Sequence, residues 1–215
     1  MANDSEFVRH EACPNCTSSD GFAVYSDGGG HCFSCNHHVK GNSTTTNELQ
    51  TTTNNFRYSG DFTAIRSRNL NEETCKKFNV RVDTVNGDPV IRFPYYDTAG
   101  KVVAYKQRDK TKDFRWNNKN SDKQLFGQQL FGSGKTIVVT EGEMDALSVY
   151  QARPNWAVVS IPNGAQQAKK ALAAQLNYLM GFEEIVLMFD NDTAGSNAAE
   201  ECISLFPSDK VFLAG

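Results

Sequence analysis

From residue 135 onward, short apolar runs alternate with helical ones. KTIVVT reads as a strand and EMDALSVYQA as a helix. WAVVSI is a strand, AQQAKKALAAQLNYLM a helix, EEIVLMFD a strand, TAGSNAAEECISLF a helix and DKVFLA a strand. Strand alternating with helix predicts α/β architecture, a parallel sheet with helices over its faces. Ligands of such sheets gather beyond the carboxyl ends of the strands. Here two runs end in acids, Glu141-Gly142-Glu143 and Asp190-Asn191-Asp192. Period two points Asp190 and Asp192 the same way if the chain stays extended. If the two strands are neighbours, Glu141 joins them at one edge. Carboxylates so close repel unless a cation lies between them, and hard oxygen ligands favour Mg²⁺ or Mn²⁺. Metal ions held there suit phosphoryl transfer. Gly142 and Gly195 let the backbone turn away from each acid cluster. Helix capping or dipole pairing is a competing role for Glu143, Asp145 and Asp192.

The first 40 residues have a different character. Cys13-Pro14-Asn15-Cys16 and Cys32-Phe33-Ser34-Cys35 form C-x2-C-x15-C-x2-C. Each pair makes a knuckle that aims two thiolates at one cation, and two knuckles complete a tetrahedral Zn²⁺ shell filled by protein alone. The expectation is a structural zinc ribbon, all-β, that needs its metal to fold. A pair of disulfides is the alternative, and a cytoplasmic setting argues against it. Phe22, Tyr25, Phe33, His31, His37, His38 and Lys40 place rings and positive groups around the knuckles, suited to unpaired bases. His31, next to Cys32, is a candidate template contact; for Phe22 and Tyr25 a place in the small core is the competing role. Residues 41–55 are nearly all Thr, Asn and other polar residues, too polar to bury a core, and read as a flexible linker.

Residues 56–134 read as a small mixed α+β subdomain. A helix is expected over Asn71–Phe78 with Asn71 as its N-cap, then strands PVIRFPYY and KVVAYKQRD around a turn at 97–100. The net charge of the chain is only −3, but residues 101–119 hold seven Lys/Arg against two Asp, a local +5. Residues 140–215 hold ten Asp/Glu against four Lys/Arg, a local −6. A basic block beside an acidic one suits phosphates handled with metal ions. With 215 residues, 39% hydrophobic, the chain supports one mid-sized core and a satellite, or two modest domains. No apolar run approaches the roughly 18 residues that cross a bilayer. The start, MANDSEFVRH, has no apolar signal region, so the expected location is cytoplasmic. GSGKT at 132–136 has the ending of a P-loop. Position 129 is Gln, however, and the segment precedes a strand, so it is set aside as an ATPase site.

EG-x-x-D-A-L after one apolar strand and D-N-D-x-A-G about 45 residues on resemble the Toprim pattern of DnaG-type primases, topoisomerases and some nucleases. Zinc ribbon, polar linker, basic block and Toprim occur in that order in primases. CPNC, SSDGFAVYSDG, CFSC, YKQRDKTKDFRW, LFG, IVVTEGEMDAL, GAQQAKKALAA and IVLMFDNDTAG, spread over nearly the whole chain, resemble the N-terminal primase half of T-seven-type phage primase–helicases. The resemblance implies a primase that makes short RNA primers on single-stranded DNA, with a ribbon at 1–40 for template recognition and a Toprim subdomain at 135–215. It implies Glu141, Asp190 and Asp192 as magnesium ligands, and Lys106 and Lys112 acting on the incoming ribonucleoside triphosphate. Arg108 and Arg115 are further partners of the triphosphate, and Arg66 and Arg68 of the template backbone. A replicative helicase, fused or separate, and a DNA polymerase are the implied partners. The ribbon reads SDGGGHC, with its histidine farther from SDG than in the phage relatives, which leaves the template trinucleotide open. Relatives carry one more aspartate in a K-D motif past the fourth strand, whereas VFLAG ends this chain, so the Toprim subdomain is expected to be truncated. A single-stranded DNA-binding module without synthesis and a Toprim nuclease are the competing readings.

Overall fold

The structure is a computed structural model that describes residues 6–39, 58–111, 113–119 and 121–214. Lys40, the expected linker at 41–55 and Lys112 lie outside the described residues. The chain divides into two compact units, Met1–Thr53 and Asn54–Gly215.

The first unit is an antiparallel meander of β1 (Phe7–Glu11), β2 (Phe22–Tyr25), β3 (Gly30–Cys32) and β4 (His38–Val39). Its core is small: Cys13, Phe22 and Cys32, with Cys16 and Val24 packed against them. The four knuckle sulfurs all lie within 4.8 Å of one another. Two of the separations are 3.7 Å (Cys13–Cys35) and 3.8 Å (Cys16–Cys32). Tetrahedral zinc with Zn–S bonds of about 2.3 Å places its sulfurs about 3.8 Å apart. A disulfide would need about 2.05 Å, so the donor set fits zinc.

The second unit holds two sheets. The antiparallel one runs β5 (Arg81–Val85), β6 (Asp88–Tyr96), β7 (Val102–Arg108) and β8 (Phe114–Trp116) in sequence order. Ahead of it, α1 (Glu72–Lys77) starts at Asn71, whose side chain accepts from the Thr74 amide. This is the cap the sequence predicts. The parallel sheet consists of β9 (Gly134–Thr140), β10 (Ala157–Ser160), β11 (Phe182–Met188) and β12 (Val211–Leu213), in the order β10-β9-β11-β12. Its connections are α2 (Glu143–Ala152), α3 (Ala168–Ala174), α4 (Leu176–Leu179) and α5 (Thr193–Ile203). The single helix expected over 165–180 is instead a 3₁₀ turn and two short helices that part at Gln175, whose φ/ψ of −113°/18° leaves the helical region.

Alternation along the central strands decides which side chains face which layer. Ile137 and Val139 of β9, with Ile185 and Leu187 of β11, pack on Leu172, Leu179, Ala198 and Cys202 from α3, α4 and α5. Val138 and Val158 face the other way, onto Leu147 of α2 and onto Phe93, Tyr95 and Ala104 of the antiparallel sheet. Each fully buried side chain of this kind contributes about 1.5–3 kcal/mol. The second core therefore fastens the basic sheet to the acidic one. Strand β11 stops at Met188, two residues short of the extended run expected from the sequence. α5 then begins at Thr193, close against the strand end. At Gly195 a Cβ would overlap the Asp190 carbonyl oxygen, so only glycine permits this approach.

Candidate active site

β9 and β11 are parallel neighbours, with Met188 opposite Thr140. The next residues on each strand therefore emerge side by side, and these lead to Glu141 and Asp190. Both line a cavity of ≈ 370 Å³, together with Asp145 and the loop Pro162–Gly164 on the acidic side and Lys106, Phe114 and Trp116 from β7 and β8 opposite. A larger cleft of ≈ 730 Å³ opens at the other rim of the sheet, around Gly132–Thr136. There Lys135 and Thr136 belong to strand β9, and Thr136 donates to Glu184 at 2.7 Å, so no phosphate loop exists.

Glu141 is half-buried, and its Oε1 accepts from the Ala165 amide at 3.3 Å. Gly164 just before it, at φ +71°, carries the loop past the carboxylate. Asp190 is exposed in the cavity wall. Asp192 departs from the extended geometry expected of it, because the chain has left the strand. It is the N-cap of α5, its Oδ1 accepting from the Gly195 amide at 2.8 Å, and it does not line the cavity. Among the described residues, only the four cysteines bring three or more possible ligand atoms within 4.8 Å of each other. The acids thus stand around the cavity without touching. Carboxylates that are spaced but convergent leave room for a cation between them.

Glu143 is the buried member of the acidic set, 2% exposed. The Tyr95 hydroxyl donates to its Oε1 at 2.5 Å, and the Lys106 ammonium sits 2.9 Å from Oε1 and 3.3 Å from Oε2. Burial, then the Glu143 charge, pushes the Tyr95 hydroxyl well above its ordinary pKa, so it stays a donor. Lys106 also donates to the Pro162 carbonyl at 3.0 Å. Its ammonium is thus hydrogen-bonded to the helix carboxylate and to the loop carbonyl. Lys106 ties α2, the antiparallel sheet and the Pro162–Gly164 loop together at the cavity.

Asp145, one turn into α2, has its pKa raised by desolvation first and then by Asp190 and Glu143, against the pull of Arg68. Arg108 is half-buried; desolvation and then Arg68 lower its pKa, while Glu143 and Asp145 counter this. A guanidinium stays charged under such shifts. Arg66, Arg68, Arg108 and Lys110 line a groove of ≈ 610 Å³ whose floor includes Ile65, Ile91 and Met144. Arg115 pairs with Gln107, which places it on the opposite face of the sheet from Lys106 and Arg108. His31 belongs to the ribbon, stacked on His38 at 4.1 Å and edge-on to Phe33 at 4.7 Å.

Five residues at or beside the cavity carry no site assignment from the sequence: Tyr95, Phe114, Trp116, Glu143 and Asp145. Glu143 and Asp145 lie inside the EGEMD string, and the signal that could have found them is that three acids in five residues exceed what one helix start needs. Tyr95 lies in an apolar strand and has no local signal.

Two family models match. A Toprim-like family matches residues 138–213, and the family described as the bacteriophage T7 DNA helicase/primase N-terminal a+b fold matches residues 60–117. The DNA helicase/primase of Enterobacteria phage T3 is 39% identical over 226 residues, spanning 99% of this chain and 40% of its own length. The chain thus spans less than half of that relative. The crystal structure of the primase fragment of the bacteriophage T7 primase–helicase superposes with a TM-score of 0.70 at 35% identity, covering 97% of this chain and 90% of that one. The T7 primase domains seen with the lagging-strand DNA polymerase, an RNA/DNA hybrid and dTTP give a TM-score of 0.68 at 40% identity, covering 73% of this chain and 80% of theirs. The two family models fall in order on the basic and the acidic sheets, and a solved relative is matched almost from end to end. On these grounds the chain belongs to the family of T7-type phage primase–helicases, as its primase region.

Proposed function

We propose that this chain synthesises short RNA primers on single-stranded DNA, adding ribonucleotides by metal-dependent nucleotidyl transfer during phage DNA replication. One observation carries the reading: Glu141 and Asp190, at the ends of neighbouring strands, face a cavity whose opposite wall is the basic sheet. In this reading a primer 3′-hydroxyl attacks the α-phosphorus of a ribonucleoside triphosphate, a new P–O bond forms, and pyrophosphate leaves.

Glu141 and Asp190 would hold a divalent metal, Mg²⁺ or Mn²⁺. Asp192, the N-cap of α5, would be a third ligand, its Oδ1 already accepting from the Gly195 amide. When bound, that ion lowers the pKa of the attacking hydroxyl and offsets charge on the phosphates. Arg108 and Arg68 set fixed positive charge beside the acids, where a triphosphate would lie. Arg66 continues that charge along the groove toward template. Lys106 and Glu143 hold the walls in register, so the reacting groups are positioned before the substrate arrives. Lys112 is assigned to the triphosphate by the family resemblance, with Arg115 as a further partner. Zinc held by Cys13, Cys16, Cys32 and Cys35 keeps the ribbon folded, and His31 on its face contacts template bases. A helicase, fused in the T3 relative, and a DNA polymerase, seen with the T7 primase domains, are the proposed partners. Among the described residues no helix is long and apolar enough to cross a membrane, and the host cytoplasm is the proposed site of action.

The test is oligoribonucleotide synthesis on single-stranded DNA with all four ribonucleoside triphosphates and Mg²⁺ or Mn²⁺. Wild-type protein is expected to give short RNA products. Glu141→Gln and Asp190→Asn are expected to give none while still binding DNA. Template cleavage without nucleotides would sink the reading in favour of a nuclease, and DNA binding without products in favour of a binding module.

A further inference from the structure

Within the cavity, Phe114 is anomalous. It sits on edge strand β8, 48% exposed, in the wall facing Glu141 and Asp190. The neighbouring Trp116 has its ring engaged, with Tyr95 at 4.8 Å and the Lys123 ammonium at 4.7 Å. No ring among the described residues packs on Phe114. Two cations approach it instead, the Lys106 ammonium at 4.4 Å from the ring centroid and the Arg108 guanidinium at 5.4 Å. Lys106 is pinned by Glu143 and Pro162, so the ring rests against a fixed charge.

The cavity therefore has two unlike ends, an acidic one and a flat aromatic one. A nucleotide has the same two ends, a phosphate chain that metal and acids can hold and a planar base with an apolar face. Every base offers a π-face, so stacking grips a nucleotide without reading its identity. That suits a polymerising site in which template pairing makes the choice. We propose that Phe114 is the stacking platform for the base of the nucleotide bound at the acids. This inference rests on the polymerising role proposed above.

The test compares Phe114→Ala, Phe114→Leu and Phe114→Trp with wild-type protein, reading KM and kcat for each ribonucleoside triphosphate and calorimetric binding of Mg·ATP. Ala and Leu are each expected to raise KM about tenfold, within the range one base stacked on a ring is worth. The rise should be similar for all four nucleotides, with kcat little changed and Mg·ATP binding weakened in parallel. Trp should stay close to wild type. Leu fills similar space without a π-face, so a Leu variant that matches Phe overturns the proposal, as does a KM rise confined to one base. If Ala unfolds the edge strand, the Leu and Trp pair decides the outcome. Wild-type protein that neither binds Mg·ATP nor makes RNA would sink the primase reading instead.

Discussion

Glu143 and Lys106 show what one buried ion pair does for this site. Both are nearly excluded from water, with side chains 2% and 11% exposed. Glu143→Ala would leave the Lys106 charge without a counter-ion, held by the Pro162 carbonyl and the Phe114 and Trp116 rings, and breaking such a pair costs about 3–5 kcal/mol. The double variant Lys106→Met, Glu143→Leu is expected to recover much of that loss in denaturant unfolding. No recovery would mean that the ammonium is not confined as described. Asp83 offers a pH-dependent counterpart. The Thr84 amide first, then Ser59 and Arg92, hold its carboxyl below the usual range. A depressed folded-state pKa gives stability that is complete above the unfolded value, about 3.9, and is lost as pH falls through the lowered one. Asp83→Asn should therefore lower Tm at pH 7, and the gap to wild type should close in acid. A gap that persists in acid would rule out the carboxylate charge as the cause. At this scale Glu141 and Asp190 are legible in the sequence, because each ends an apolar run where a buried strand has no use for an acid. Tyr95 is not, since its hydroxyl meets Glu143 48 residues away, and nothing around Tyr95 announces that partner.

At the scale of elements, α5 is capped by the residue that the proposed function also gives to the metal. Its N-cap is Asp192, and losing such a cap costs about 0.5–2 kcal/mol. Serine also caps, but it brings no second carboxylate oxygen. Asp192→Ser is accordingly expected to keep the wild-type Tm and lose RNA synthesis, whereas Asp192→Ala loses both. Full activity in the Ser variant would confine Asp192 to capping. The capping signal and the acid-pair signal coincide in DNDTAG, so the sequence cannot separate them; the end of β11 at Met188 shows the cap, and the Ser variant tests the rest. The connection between β10 and β11 is similar. Apolar spacing over 165–180 continues through Gln175, but the chain must turn there to bring Leu172 and Leu179 onto one core.

For the whole molecule, the division into Met1–Thr53 and Asn54–Gly215 separates two kinds of stability. The larger unit has two extended apolar cores, while the ribbon's core cluster among the described residues is Cys13, Phe22 and Cys32, with Ala23 also buried. A core that small does not offset chain entropy without a metal. Chelation of zinc should unfold the ribbon, seen as loss of its amide protection in hydrogen exchange, and leave the protection of β9 and β11 unchanged. Loss of protection in both units at once would mean that they fold as one. The sequence alone determined the alternation of strand and helix after residue 135, its order and the cysteine cage, because hydrophobic period, capping and knuckle spacing are local and act over a few residues. Only the tertiary structure decided that β9 lies beside β11, which puts Glu141 next to Asp190. The same holds for the basic sheet on the opposite wall and for Glu143, which pairs with Lys106 while Glu141 and Asp190 stay unpaired with it. Those choices are made by packing and charge pairing between segments some 40 to 50 residues apart, where contact energies accumulate that no local pattern encodes.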